Sequence, residues 1–390
     1  MTSAMVEPAV RGARRAAPRS RLDHVPRDPL LRWSVRLALA VPYLLTAWVA
    51  SATHATAALP TPNQSLLDHV ATIEWDRADP QWVSQIFPPI TTLLAAVIPG
   101  GRAGLTIAGA LVAGIFLQKM IEIMVQRRFP TSTIVILTIA IGANPLFAYT
   151  ALENFAAFVG LCFFGIAASD LVRFVSWRDT RSGFRAGMLL MLATLSDLSG
   201  IVYVLIAAVT APFLRLARAE QRGARGANVL VIVYPTLAAI GSLGLINWIF
   251  TGRALGPLGR GILADTPERL AEVGDLLFGV TGLFLIAPVL SAWAMAIIVR
   301  RPGAILVSTL VFAGVLLSMV LGLISPTSAG NTFILMTVLA IALIPTAKER
   351  LTVVLIDVVA VVQIAIAWGT AFHREAVVAW MTAVAGTFAG

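Results

Sequence analysis

The sequence predicts an all-α fold, a polytopic bundle of about eleven transmembrane helices. Of the 390 residues, 58% are hydrophobic and 13% are charged, whereas soluble domains carry roughly 25% charged residues. The mean hydropathy is +0.85, and apolar runs of bilayer-spanning length follow one another along the chain. The only cysteine, Cys162, lies inside such a run, which excludes a disulfide framework and a thiol-based metal site.

The first segment, residues 1–34, is predicted to be a disordered, arginine-rich cytoplasmic tail. It is not a secretory signal peptide, because the hydrophobic stretch that follows is about twenty residues long and lacks a convincing cleavage site. Its arginines either attract anionic lipid headgroups or simply hold the N-terminus inside. Residues 35–390 are predicted to form a single transmembrane domain.

Nine apolar runs in that domain are long enough to predict one membrane span each. They cover residues 37–57, 103–125, 132–150, 154–172, 228–250, 279–299, 304–324, 331–347 and 351–371. A further apolar run over 186–216 is too short for two full crossings and too long for one. It is broken by Ser196, Asp197, Ser199 and Gly200. We expect two short helices here that meet at a polar turn within the membrane.

The orientation follows from the basic residues, which concentrate in cytoplasmic segments of membrane proteins. With the N-terminus in the cytoplasm, 23 of the 29 basic residues fall on the inner side and six on the outer side. This one-sided distribution also explains the net charge of +9 without nucleic acid as a partner. We predict a multi-pass protein of the plasma membrane.

Polar groups gather on the predicted outer side, in the loops 58–90 and 251–278 and near the last residues of the chain. They include His54, His69, His373 and Glu153, and also Asp197 if the short helical pair reaches that far. The first of these loops contains "SLLDHVATIEW", in which apolar residues recur on one helical face. This pattern predicts a short amphipathic helix along the outer membrane surface.

Asp68, within that helix, has two interpretations. Ser65 followed three positions later by an acidic residue resembles a capping box, which would make Asp68 a structural residue. Alternatively, Asp68 is a functional carboxylate on the outer face. The double proline in "FPPI" at 87–90 predicts extended backbone, and "TTLLAAVIPGG" predicts a brief apolar element before the second span.

The order of these features resembles the GT-C superfamily of integral-membrane glycosyltransferases. The protein-O-mannosyltransferase-like and aminoarabinose-transferase-like branches carry an acidic residue in the first outer helix and a Tyr-Pro-Pro motif about twenty residues later. Here the matching residues are Asp68 and Phe87-Pro88-Pro89. The stretches "GANPLFAYTALENF", "RAGMLLMLATLSDLSGIVYVLIAAV" and "INWIFTGRALGPL" also resemble the family, so that the likeness covers about residues 30–260.

This resemblance implies a GT-C-like fold and transfer of a sugar from a polyprenyl-phosphate donor to an acceptor hydroxyl on the outer face, in cell envelope biosynthesis. The acceptor is a glycan, a lipid or a protein. Because phosphate is already a good leaving group, the chemistry needs one carboxylate to take the acceptor's proton and cations to stabilise the departing phosphate. We predict Asp68 as the general base, with His69 or Glu153 as its helper. The predicted phosphate ligands are Arg253, Arg260 and Arg269.

Two features leave an alternative open. Many family members have a second acidic residue directly after the first, and here that position is His69, so no cofactor is expected and a bound divalent metal has no support. Many members also carry a soluble outer C-terminal domain, and none is expected after the last predicted span here. Both features allow a non-catalytic GT-C-like protein, either a scaffold subunit or a transporter of lipid-linked intermediates.

Overall fold

A computed structural model of the chain describes residues 26–52, 59–75, 82–83, 85–177, 180–210, 224–254, 266–300, 302–323 and 349–389. In these residues it has fifteen α-helices and no strand, which confirms the predicted all-α fold. The helices are α1 Pro29–Ala52, α2 Pro62–Ala71, α3 Pro89–Val97, α4 Gly101–Gln126, α5 Thr131–Gly142, α6 Pro145–Glu153, α7 Phe155–Trp177, α8 Thr180–Ser196, α9 Ser199–Thr210, α10 Ala224–Thr251, α11 Thr266–Phe278, α12 Val280–Ile298, α13 Pro302–Val320, α14 Arg350–Phe372 and α15 Glu375–Ala389.

Six of these helices, α1, α4, α7, α10, α13 and α14, are long and apolar enough to cross a membrane. Two bent pairs, α5 with α6 and α11 with α12, raise the number to eight if each pair is one span. The chain is therefore a membrane-embedded protein. The predicted number of about eleven spans also includes 331–347, which lies outside the described residues, and the short pair at 186–216.

The two short helices predicted within residues 186–216 are present, and the break between them lies where the sequence predicts it. Helix α8 ends at Ser196 and α9 begins at Ser199, so the chain turns at Asp197 and Leu198. With 12 residues, α9 extends for only about 18 Å, too little to cross a bilayer's hydrocarbon core. Two short helices meeting at a polar turn are confirmed.

Two predicted segment boundaries differ from the structure. Helix α1 begins at Pro29, inside the segment predicted as the tail, because Asp28 accepts a hydrogen bond from the Leu30 backbone N–H at 3.0 Å and proline suits the first helical position. The span predicted at 132–150 is bent by 55° between α5 and α6. There the Asn144 side chain accepts a hydrogen bond from the Leu146 N–H and starts a new helix at Pro145.

Helix α4 packs against α1, α6 and α7 in the core. Two glycines of α4 allow the closest approaches, because a Cβ at Gly109 would lie 1.8 Å from the Ala151 carbonyl oxygen of α6 and one at Gly114 would lie 2.3 Å from the Arg36 carbonyl oxygen of α1. The rings of Phe116, Phe147 and Phe158 pack against one another below these contacts. This core holds α6 and α7 rigidly, and their junction carries the first outer loop.

Candidate functional site

The first outer loop supplies the predicted catalytic pair. Asp68 and His69 lie on α2, the amphipathic helix that the sequence predicts in this loop. Asp68 is exposed and accepts a hydrogen bond from the Gln64 side chain at 2.8 Å. The His69 Nε2 lies 2.9 Å from the Gln85 carbonyl oxygen, so the histidine ring ties α2 to the segment that leads into the double proline.

The capping-box interpretation of Asp68 is wrong. Helix α2 begins at Pro62 with Thr61 as its N-cap residue, so Ser65 is already inside the helix and cannot cap it. The Ser65 hydroxyl instead donates to the Thr61 carbonyl at 3.4 Å. Asp68 is thus an exposed carboxylate in the last turns of α2, and no helix-capping role accounts for it.

Asn63 fixes α2 to the bundle, a role that the sequence analysis did not predict. Its side-chain Nδ2 donates to the Leu152 carbonyl and its Oδ1 accepts from the Phe155 N–H, both at 2.8 Å. These two backbone groups flank the break between α6 and α7. Asn63 is 1% exposed, so it satisfies two helix-end groups that water does not reach. A polar residue beside a helix-initiating proline is the only sequence feature that marks it.

Glu153 lies at this same break but points inward. Its carboxylate, 2% exposed, forms an ion pair with Arg102 of α4 at 3.1 Å. The Thr61 hydroxyl and the Trp380 indole N–H face the same carboxylate without a hydrogen bond of normal geometry. The structure therefore brings Glu153 under the start of α2 but buries its carboxylate, while Asp68 faces outward. A direct role for Glu153 in catalysis stays a prediction.

A shallow cleft lies between two of the segments that carry the family resemblance. It lies between the end of the first outer loop and the last turns of α10, and its space of about 340 Å³ includes open surroundings. Its lining is apolar apart from one asparagine. The lining residues are Val83, Ile86, Phe87 and Pro89 from the loop, and Ile240, Leu243, Gly244, Asn247 and Ala254 from α10 and the residues after it.

The predicted phosphate ligands have different surroundings. Arg253 is exposed and directly precedes Ala254 of the cleft lining. Arg260 lies outside the described residues. Arg269 lies on α11, and its guanidinium covers Gly322, which follows α13. A Cβ added at Gly322 would lie 1.8 Å from the Arg269 Nη1. Among the predicted phosphate ligands within the described residues, Arg253 is therefore the one that lies at the edge of the cleft.

One further cation lies at the predicted outer end, between α14 and α15. Arg374 follows His373, whose ring packs against Phe284 with ring centroids 4.4 Å apart. Burial lowers the pKa of the Arg374 guanidinium below its ordinary value, because a charged group loses hydration there.

In the described residues, no group of three or more histidine, cysteine, aspartate or glutamate side chains is arranged to hold a metal ion.

A second polar cluster occupies the opposite end of the bundle and was not predicted. Arg102 and Glu122 are twenty residues apart on α4, about 30 Å. At the Glu122 end of α4, Glu122 pairs with Lys119 at 2.9 Å, and Asp170 of α7 pairs with Arg185 of α8. Both carboxylates are at most 2% exposed. Lys119 and Glu122 are both on α4, whereas the pair of Asp170 with Arg185 joins α7 to α8 and leaves no periodicity in the sequence.

No protein-family model matches the chain, and neither a curated protein nor a solved structure is significantly similar to it. The resemblance to the GT-C superfamily therefore stays a prediction.

Proposed function

We propose that the protein is a membrane glycosyltransferase that transfers a sugar from a polyprenyl-phosphate donor to an acceptor hydroxyl at the outer face of the plasma membrane. The observation that carries the proposal is the shared cleft. Phe87 and Pro89 belong to one motif of the resemblance and Asn247 to another, about 160 residues further along, and the three line the same cleft. An apolar cleft at the end of a membrane bundle suits a prenyl-linked ligand.

In the proposed reaction, the acceptor oxygen attacks the anomeric carbon of the sugar from the face opposite the phosphate. The new bond joins this oxygen to the anomeric carbon, the bond between that carbon and the phosphate oxygen breaks, and polyprenyl phosphate leaves with the bonding electrons. The acceptor's proton passes to Asp68, and the configuration at the anomeric carbon is inverted. No acid is needed for the leaving group, since phosphate departs as a stable anion.

The geometry supports Asp68 as the base in two respects. Its carboxylate is exposed, so an acceptor can reach it, and it has a hydrogen-bond partner in Gln64 that restricts its rotation. The His69 contact to the Gln85 carbonyl holds α2 next to the segment that enters the cleft. Arg253 at the cleft edge, with Arg260 and Arg269 in the same outer loop, would stabilise the phosphate.

One observation favours the second candidate, a non-catalytic scaffold subunit or a transporter of lipid-linked intermediates. The helper predicted at Glu153 is buried in an ion pair, so its carboxylate and the exposed carboxylate of Asp68 do not face a common space. A scaffold needs no such convergence. The ion pair would then serve only to hold the outer loop in place.

A transfer assay on the purified protein separates the two candidates. The protein in nanodiscs is incubated with radiolabelled polyprenyl-phosphate sugars and with simple glycosides as acceptors. The glycosyltransferase proposal expects a product of inverted configuration and release of polyprenyl phosphate in equal amount. Donor binding without any product, across the panel of sugars and acceptors, would support the non-catalytic candidate instead.

A further inference from the structure

The turn between α8 and α9 carries a carboxylate, Asp197, to which the proposed reaction assigns no role. A Cβ added at Gly160 of α7 would lie 3.4 Å from the Asp197 Cβ. Gly160 is five residues after the first residue of α7, so Asp197 lies about 7 Å inside the outer end of that helix. Acidic groups at such depth are rare in membrane proteins and usually mark functional sites.

Asp197 has one evident structural role. Its Oδ2 accepts hydrogen bonds from the Ser199 backbone N–H, at 3.1 Å, and from the Ser199 hydroxyl, which caps the start of α9. An asparagine would accept the same bonds through its amide oxygen. Helix capping therefore explains why this side chain is polar but not why it is charged. In the described part of the chain, no cation forms an ion pair with Asp197.

Asp197 is partly exposed although the serines on either side of the turn are buried. Ser196 and Ser199 are at most 1% exposed. The Thr91 hydroxyl of α3 donates to the Ser196 carbonyl at 2.5 Å and holds α3 against the turn. Thr91 follows Pro89, a residue of the cleft lining, by two positions. The carboxylate thus lies beneath the segment that connects the double proline to the bundle.

Two hydroxyls near this turn make no hydrogen bond of normal geometry. They belong to Thr92, next to Thr91 on α3, and to Tyr203, one helical turn after Ser199 on α9, whose hydroxyl faces that of Ser199. Both residues are at most 1% exposed. Buried hydroxyls without a well-formed hydrogen bond are uncommon and costly. A ligand hydroxyl suits this group, because it can donate to a carboxylate and accept from a hydroxyl, whereas an ammonium group can accept nothing.

We propose that Asp197 binds a hydroxyl group of a sugar or polyol acceptor, with Tyr203 or Thr92 donating to the same ligand. The inference rests on the proposed function, since it assigns the acceptor's position in the same outer site. Asp197 would then fix the acceptor, while Asp68 takes its proton. The carboxylate at the α8–α9 turn is an acceptor-binding residue rather than a second base.

The matched variants are Asp197→Asn, which keeps the cap and removes the charge, and Ser199→Ala, which weakens the cap and keeps the charge. In the transfer assay, Asp197→Asn should raise the acceptor KM by about tenfold or more, the loss expected for a hydrogen bond to a charged group, with the donor KM unchanged. Ser199→Ala should lower the unfolding temperature more than it raises the acceptor KM. An unchanged acceptor KM in Asp197→Asn would overturn the inference.

A second readout does not depend on transfer. A hydrophobic carbodiimide should modify Asp197 in the intact protein, with Asp197→Asn as the unlabelled control, and a methyl hexoside should protect it. If the wild type gives no transfer but the hexoside protects Asp197, the proposed function fails and the binding site stands. Protection by tetramethylammonium, which has no hydroxyl and cannot couple to the activated carboxylate, but not by the hexoside would overturn the hydroxyl ligand. No modification at all would overturn the site.

Discussion

The Arg102 guanidinium donates two hydrogen bonds to one carboxylate oxygen of Glu153, from Nη2 at 3.1 Å and from Nε at 3.3 Å. Its Nη1 also donates to the Leu59 carbonyl at 3.4 Å. One side chain of α4 thus joins the end of α6 to the chain just before α2. The candidate site depends on this pair, because α2 carries Asp68.

Removing one partner of this pair should destabilise the protein more than removing both. Glu153→Ala leaves the Arg102 charge without its carboxylate, so we expect a loss of about 3–5 kcal/mol in the free energy of unfolding. Glu153→Leu combined with Arg102→Met should cost clearly less, since no charge stays buried without its partner. Unfolding titrations in one detergent give both values. Equal losses in the single and the double variant would contradict the assigned role.

The Asn63 bridge predicts a second stability effect. Asn63→Leu keeps the volume but leaves the Leu152 carbonyl and the Phe155 N–H unsatisfied, at a cost of about 1–3 kcal/mol for each group. Hydrogen exchange should also become faster in α2, which loses its attachment. Gln64→Ala, one residue further on the exposed side of the same helix, is the matched control. A protein as stable with Asn63→Leu as with Gln64→Ala would show that the bridge contributes nothing.

The sequence predicts the helices and the break at Asp197 because both depend on local pattern. A run of about twenty apolar residues has few alternatives to a span, and Ser196, Asp197 and Ser199 interrupt such a run. The bend at Asn144 was missed, although an asparagine before a proline is a usual helix start. There the apolar run continues across the bend, and hydropathy alone does not reveal it.

The site was only partly predictable, for a different reason. Asp68 and His69 stand out because charge is rare in this chain, and the structure places both on the predicted helix. Glu153 stood out in the same way, but its burial depends on Arg102, 51 residues away. Asn63 makes its contacts across about ninety residues. Contacts at such separation leave no periodicity in the sequence.

The orientation of the bundle predicts a labelling result. With Cys162 replaced by alanine, single cysteines at Asp79 and at Arg222 should show opposite sidedness. The reagent is a membrane-impermeant maleimide, which should label the first in intact cells and the second only after permeabilisation. Equal labelling of both positions from outside would contradict the topology and remove the outer loops from the proposed site.

The arginines after α10 predict a change in donor binding. Replacing Arg253 and Arg260 together by alanine should weaken the binding of polyprenyl phosphate, because two cations near the cleft edge are lost. The difference from the wild type should shrink at high salt if the contact is partly exposed. Binding titrations at low and high ionic strength measure it, with Arg128→Ala at the opposite end of the bundle as the control. Unchanged donor affinity in the double variant would exclude both arginines from the phosphate site.

Asp68 carries the most direct prediction about catalysis. Asp68→Asn keeps the size of the side chain and its hydrogen-bond acceptor for Gln64, but it cannot take up a proton at neutral pH. We expect a normally folded protein whose transfer rate is lower by roughly 100- to 10,000-fold, the usual contribution of a general base. Donor affinity should be unaffected, since the carboxylate acts on the acceptor. Single-turnover rates and donor titrations on the same nanodisc preparation separate the two quantities.

Asp68→Glu tests whether the carboxylate must be held in position. It retains the charge but moves the oxygens by one methylene, so a positioned base should lose much of its rate, while a merely electrostatic contribution should survive. The exposed Glu74, beyond the end of α2, supplies the control, because Glu74→Gln removes a neighbouring charge without touching the base. If Asp68→Asn transferred sugar at the wild-type rate, Asp68 would not be the base. The acceptor's proton would then have to pass to another group, with His69 the nearest predicted one.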